Sequence, residues 1–249
     1  MTRSFLPVLA LALVASTAKA QLLYHTGFET PNYVAGQTID GIDGWASFIS
    51  PLAPLVVANP AEAAHGRRAL TCWGGDPNLE TTQGLLDGAW AQTVLVDPSY
   101  AQTALVRVQC DVRLDGPDTG SGPANDLVSA NLYARNGVGG SAFVFVSSTG
   151  DVYCFADSVG GSAGYQFATP ITLGQYTRIA ITLDYATHLA AFEVNGVVVG
   201  VLPFGGQATE FFRGATLEFA AYDDPLVVDP SLYTGYWDNL MILAVPSNQ

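Results

Sequence analysis

The stretch Leu105-Val106-Arg107-Val108-Gln109-Cys110-Asp111-Val112-Arg113-Leu114 decides the fold. Val106, Val108, Cys110, Val112 and Leu114 alternate with Arg107, Gln109, Asp111 and Arg113. Successive strand side chains point to opposite faces, whereas a helix needs apolar residues at every third or fourth place. The segment therefore reads as a half-buried strand with a polar outer face. Working outward, the period recurs. Val128, Ala130, Leu132 and Ala134 alternate with Ser129, Asn131, Tyr133 and Arg135, and Ile179, Ile181 and Leu183 alternate with Ala180 and Thr182. Shorter runs at 69–73, 89–96, 142–147, 152–156, 197–202 and 216–222 are bounded by Gly, Pro, Asn or Asp. Ser148-Thr149-Gly150-Asp151 joins two of these runs, and Asn195-Gly196 supplies the two positive φ angles of a type I′ hairpin. The Gly-rich run Gly160 to Gly164 reads as a loop, because no helix start follows its Ser162 as a nucleophile elbow would require. Beyond residue 20 no sustained helical periodicity and no linker intervenes. Such a chain is expected to be all-β, a two-sheet antiparallel jelly-roll sandwich in one domain over 21–249.

The first twenty residues read differently. Arg3, an apolar run from Phe5 to Ala15 and the triplet Ala18-Lys19-Ala20 form a secretory signal peptide with cleavage before Gln21. The apolar run is shorter than the ~18–20 residues a spanning helix needs, so the expected mature protein is secreted or periplasmic, with no membrane attachment. The chain is 49% hydrophobic, enough for a large core, but only 12% charged. Its 22 acidic and 9 basic side chains leave a net charge of −13. That charge opposes the counterion release behind phosphate-backbone binding and argues against nucleic acid as a partner. Cys72, Cys110 and Cys154 are odd in number and show no CxxC spacing, which disfavours zinc and leaves at least one thiol unpaired in a monomer. Cys110 lies on the apolar face of its strand and reads as a small buried hydrophobe; which disulfide forms, if any, stays open.

Several segments together resemble a known superfamily. Leu22 to Glu29, His65-Gly66 followed by Arg68-Ala69-Leu70, Arg178 to Asp184 with Phe192 to Gly196, and the closing Tyr236-Trp237-Asp238-Asn239-Leu240 are similar to the concanavalin A-like lectin and glucanase jelly rolls, LamG-type domains included. The resemblance covers nearly the whole mature chain and implies a carbohydrate-related role. It also implies a structural Ca²⁺ where first and last strands lie side by side, held here by Glu29 and Asp238 with backbone carbonyls. Glucanases of this kind carry a Glu-x-Asp-x-x-Glu strand; Glu29, Glu62, Glu80, Glu193, Glu210 and Glu218 all lack Asp two places on. The retaining mechanism needs two carboxylates flanking the sugar bond, so this departure argues against glucanase activity. Alginate-lyase-like members pair a His with Tyr and Arg, but His25, His65 and His188 fall in positions that read as solvated or packed.

What remains is a polar outer surface. Arg107, Gln109, Asp111 and Arg113 on one strand, with Asn131, Tyr133 and Arg135 on another, mix hydrogen-bonding groups with an aromatic ring; Trp90 and Tyr153 lie on strands placed to flank them. Sugars are bound by such mixtures, through ring platforms and bidentate polar contacts. The same residues also suit a solvated sheet with cross-strand ion pairs. Three functions stay open in this order: a carbohydrate-binding or adhesive module, a polysaccharide-processing enzyme, and an exported structural protein without a small ligand.

Overall fold

The computed structural model describes residues 20–47, 55–57, 63–64, 66, 68–73, 88–96, 105–117, 128–136, 141–158, 161–166, 170–205, 211–221 and 232–245. The segment 1–20 expected to be a signal peptide lies outside them but for Ala20. The described residues form fifteen strands: β1 (Gln21–Thr26), β2 (Trp45–Ser47), β3 (Leu55–Val57), β4 (Ala69–Trp73), β5 (Gly88–Leu95), β6 (Leu105–Asp115), β7 (Val128–Asn136), β8 (Ser141–Ser147), β9 (Val152–Ser158), β10 (Gly161–Gln166), β11 (Thr177–Asp184), β12 (Leu189–Val194), β13 (Val197–Pro203), β14 (Phe212–Ala221) and β15 (Thr234–Val245). Sheet A runs β13-β12-β11-β6-β15-β4-β3 with β1 also on β15, and sheet B runs β10-β9-β8-β7-β14-β5-β2. Every strand pair in both sheets is antiparallel. The expected two-sheet sandwich is the fold.

The alternation seen in the sequence becomes the core. Val106, Val108, Cys110, Val112 and Leu114 of sheet A are buried, as are Val128, Ala130, Leu132 and Ala134 of sheet B. Each buried aliphatic side chain stabilises by about 1.5–3 kcal/mol through area removed from water, so two facing rows of them hold the sheets together. Trp237 of β15 spans the gap: fully buried, it donates its indole N–H to the Asn131 carbonyl of β7 at 3.2 Å. Cys72, Cys110 and Cys154 are all buried. Burial pushes the Cys154 thiol up to about 12 and the Cys110 thiol well up, so neither is a nucleophile at neutral pH.

Both hairpin signals hold. Asn195 and Gly196 adopt φ of 50° and 79° between β12 and β13, and Ser147 to Asp151 close β8 onto β9 with Gly150 at φ 79°. One reading is corrected. Residues 161–164 are not a loop but most of strand β10, paired with β9 from Gly161↔Ser158 to Gln166↔Tyr153. Glycine is a poor strand former in isolation, and here the neighbour compensates: a Cβ at Gly164 would overlap the Phe155 ring, which occupies that space instead. β15 carries a bulge where its register on β6 shifts between Asp238 and Met241, with Asn239 at φ 50°. An extra residue in one strand re-aims its side chains, and the Asn239 Nδ2 donates to Asp111 Oδ2 at 2.8 Å.

Candidate functional site

The two polar strand faces do not meet. β6 belongs to sheet A and β7 to sheet B, and the outward side chains of each point away from the other across the shared core. A glycan lying across both strands, as the sequence suggested, is geometrically excluded. On sheet A the charged residues pair with one another. Arg107 forms a two-pronged ion pair with Glu193 of β12 and its Nε also donates to Gln109 Oε1 at 3.0 Å. Arg113 pairs with Asp115 and lies over the Tyr236 ring at 4.7 Å, while Asp111 accepts two hydrogen bonds from Arg178. For Arg107, Gln109, Asp111 and Arg113 the cross-strand ion-pair reading is the one the geometry supports.

The outer face of sheet B is different in kind. Strand register aligns Thr93, Thr216, Tyr133, Phe143, Phe155 and Gly164 in one row perpendicular to the strands. A second row aligns Glu218, Asn131, Phe145 and Tyr153. The result is a sheet of rings: Tyr133–Phe143, Phe143–Phe155 and Phe143–Phe145 centroids lie 5.0, 5.1 and 5.0 Å apart, with Phe143 and Phe155 stacked at 19°. Tyr153 extends it, 6.5 Å from Phe155. All five rings are half-buried, whereas Val144, Val146, Val152 and Cys154 between them face the core. Tyr153 is thus where the sequence placed it. Trp90 pairs in register with Phe219 of β14; its side chain lies outside the described residues.

At one end of the rings sits a polar cluster. Glu218, buried within β14, accepts at Oε1 from the Tyr133 hydroxyl at 3.1 Å and from Asn131 Nδ2 at 3.3 Å. Arg135 lies 5.1 Å from the Tyr133 ring centroid and donates Nε–H to Thr216 Oγ1 at 2.8 Å. Thr216 in turn shares a 2.7 Å bond with Thr93. Burial pushes the Glu218 carboxyl above the usual carboxylate range; the donors Tyr133 and Asn131 and the Arg135 charge oppose that but do not cancel it. Asn131, Tyr133 and Arg135 were singled out in the sequence, whereas Glu218 was not. A carboxyl whose folded pKa lies above its unfolded value contributes stability that is full below the unfolded pKa, ~4.3, and is lost as pH rises through the folded one. Glu218→Gln is therefore expected to melt above the parent at pH 7, the gap closing at pH 4. Melting curves at both values check this, and a gap unchanged between them would contradict it.

The chain ends meet as the resemblance implied, with β1 paired on β15 from Gln21↔Ala244 to Thr26↔Leu240. Beside that seam, Asp238 Oδ1 and Asn239 Oδ1 lie 3.6 and 3.7 Å from where a Cβ on Gly27 would stand, and the Glu29 side chain 3.9 Å from it. Asp238 is fully buried, and Glu29 Oε1 accepts the Arg68 amide N–H at 2.9 Å. Glu29 and Asn239 line a cavity of about 380 Å³ there. His25 is exposed on β1 and His188 sits at φ 55° in the β11–β12 turn, far apart along the fold; His65 lies outside the described residues.

No family model and no curated protein sequence matches the chain. Solved structures do match. A PL-14 alginate lyase from Aplysia kurodai aligns at TM-score 0.55 and 10% identity, over 90% of this chain and 100% of that one. An endo-β-1,4-glucuronan lyase from the fungus Trichoderma reesei aligns at 0.53 and 10%, over 92% and 100%. The transglycosylase Crh5 aligns at 0.52 and 14%, over 90% and 84%. The chain spans 17% of the length of a sialidase that it also matches. At such identities the likeness is one of fold: these structures and this chain share the two-sheet jelly-roll sandwich.

Proposed function

We propose that this chain is an exported carbohydrate-binding protein and that its ligand lies on the outer face of sheet B. One observation carries the reading: Tyr133, Phe143, Phe145, Tyr153 and Phe155 form a continuous half-buried ring surface that ends in the Glu218, Asn131 and Arg135 cluster. Apolar rings left at a surface mark an interaction site, and polar neighbours at their edge suit the hydroxyls of a ligand whose C–H faces stack on the rings. The fold neighbours named as acting on glucuronan and alginate make a polysaccharide the natural partner class. Binding is favoured over glycoside hydrolysis by spacing. Glu218 and Asp157, the described carboxylates of this face, stand on β14 and β9 with β7 and β8 between them. That is about 14 Å across the sheet at ~4.8 Å per strand, with a further offset along the strands because Asp157 falls in the row of Gly214 and Arg135, against the ~5–9.5 Å that hydrolases use. A second reading, polysaccharide cleavage by another route, rests on the Tyr133 hydroxyl bonded to Glu218 beside Arg135.

A panel of immobilised neutral and acidic polysaccharides, assayed in parallel for retention and for released oligosaccharide, tests both. Retention without product is the expected result. Product formation would transfer the case to the second reading, and silence in both assays would leave only a structural protein.

Calcium is proposed for the chain-end seam. The Asp238 carboxylate and Asn239 amide oxygens flank one point there, with the Glu29 side chain beside them, and hard cations take such oxygens. The ion would tie β1 to β15 and stabilise by mass action, about 2.7 kcal/mol at a hundredfold excess over its Kd. Chelation is expected to lower the melting temperature, and Asp238→Ala or the milder Glu29→Gln to remove that response. Identical melts with and without chelator would eliminate the site.

A further inference from the structure

On the opposite side of the sandwich, the outer face of sheet A holds a second cavity of about 470 Å³, lined by Ala63, Ala64, Asp111, Tyr176, Arg178 and Asn195. Its centre is an arginine fixed by one edge. Arg178 donates Nε–H to Asp111 Oδ1 at 2.7 Å and Nη2–H to Asp111 Oδ2 at 2.8 Å, and Asn239 Nδ2 donates to that same Oδ2. The Asp111 side chain is 6% exposed and that of Arg178 45%, so the ion pair has a closed end and an open one. A guanidinium carries five N–H donors in a rigid fork, and Asp111 takes two. The far edge, Nη1 with the second Nη2 hydrogen, has no protein partner among the described residues.

The remaining lining is rich in donors. Asn195, at φ 50° in the β12–β13 turn, accepts the Arg178 backbone N–H through Oδ1 at 3.0 Å, which leaves Nδ2–H as the group it offers. Burial pushes the Tyr176 pKa upward, so its hydroxyl keeps its proton. Arg113 stands 5.7 Å from the Tyr176 ring, its charge met by Asp115. Asp111, the lining carboxylate, is already met by Arg178 and Asn239, so its charge is compensated. We propose that this cavity binds a ligand of about sugar size through a carboxylate seated on the open edge of Arg178. A planar carboxylate matches that fork with two parallel hydrogen bonds, and Asn195 Nδ2 offers a third donor. The carboxylate can belong to a free sugar acid or to a charged unit of a polysaccharide. The site stands apart from the one proposed on sheet B.

Glucuronate and glucose differ by that one group, which makes them the discriminating probes. In calorimetric titrations of the mature protein, glucuronate or polygalacturonate is expected to bind and glucose not. Arg178→Ala should weaken the binding at least tenfold, and Arg178→Lys should fail to restore it. Arg107→Ala, an ion-paired arginine of the same sheet outside the cavity lining, should leave it unchanged. Binding of the monosaccharide acid would identify a free-acid site, and binding of the polymer alone a polymer site. Equal heats for glucose and glucuronate, no binding by either acid, or undiminished binding in an Arg178→Ala protein of unchanged melting temperature would overturn the proposal.

Discussion

Replacing Phe143 and Phe155 together by alanine is expected to weaken polysaccharide binding about 30- to 1,000-fold while the protein remains folded. The two rings stack at 5.1 Å in the middle of the sheet B surface, with Tyr133 and Phe145 against Phe143. Losing a stacking platform costs about 1–3 kcal/mol per ring in binding, and adjacent rings do not add fully, which gives about 2–4 kcal/mol for the pair. The cost to folding is smaller, because both rings are half-buried on an outer face and contribute cross-strand contacts of about 0.2–1 kcal/mol each. Affinity electrophoresis in polysaccharide gels measures the first and thermal melts the second. Arg107→Ala, on the opposite sheet, is the control and should migrate as the parent does. Equal retardation of the double variant and the parent would remove sheet B as the binding face.

The largest stability effect is expected at Trp237. Its ring is fully buried between the sheets and donates to the Asn131 carbonyl, and Gly235 makes room for it, since a Cβ there would stand 2.9 Å from the indole. Trp237→Ala removes the side chain that joins β15 to β7 and leaves a cavity the strands cannot close, a loss of about 3–5 kcal/mol. For a chain of this size that corresponds to a fall of about 6–20 °C in Tm. Because Asn131 also supports the Glu218 cluster, polysaccharide binding should fall in the same variant. A melt within 2 °C of the parent would show that the sheets do not depend on this contact.

The strands that could be read from the sequence were those with an unbroken period of two. β6, β7 and β11 were visible because polar and apolar residues alternate without a gap, and the β12–β13 turn because Asn195-Gly196 has one conformational use. Two strands broke the rule for physical reasons. β10 consists largely of small residues, and only its pairing with β9 under the Phe155 ring makes it a strand; β15 loses its period at the Asp238–Asn239 bulge. The candidate site was half legible. Alternation tells which residues of a strand face outward, but not to which sheet the strand belongs, so the β6 and β7 faces were joined although the two strands belong to opposite sheets. Phe143, Phe145 and Phe155 were missed because Ala142 to Val146 and Val152 to Ala156 carry no charged residue and give no sign of which side is solvent. Glu218 did carry a signal, alternating with Leu217 and Phe219 beside Thr216, but its importance comes from partners on β7 that no local pattern reveals.

Hydroxyl-radical footprinting of the protein, with and without the polysaccharide that retains it best, tests the central claim most directly. The account predicts that oxidation of Tyr133, Phe143, Phe145, Tyr153 and Phe155 falls together on binding, while exposed sheet A residues such as Val197 and Val201 oxidise as before. Protection confined to sheet A, with the five rings of sheet B oxidised equally in both states, would contradict it.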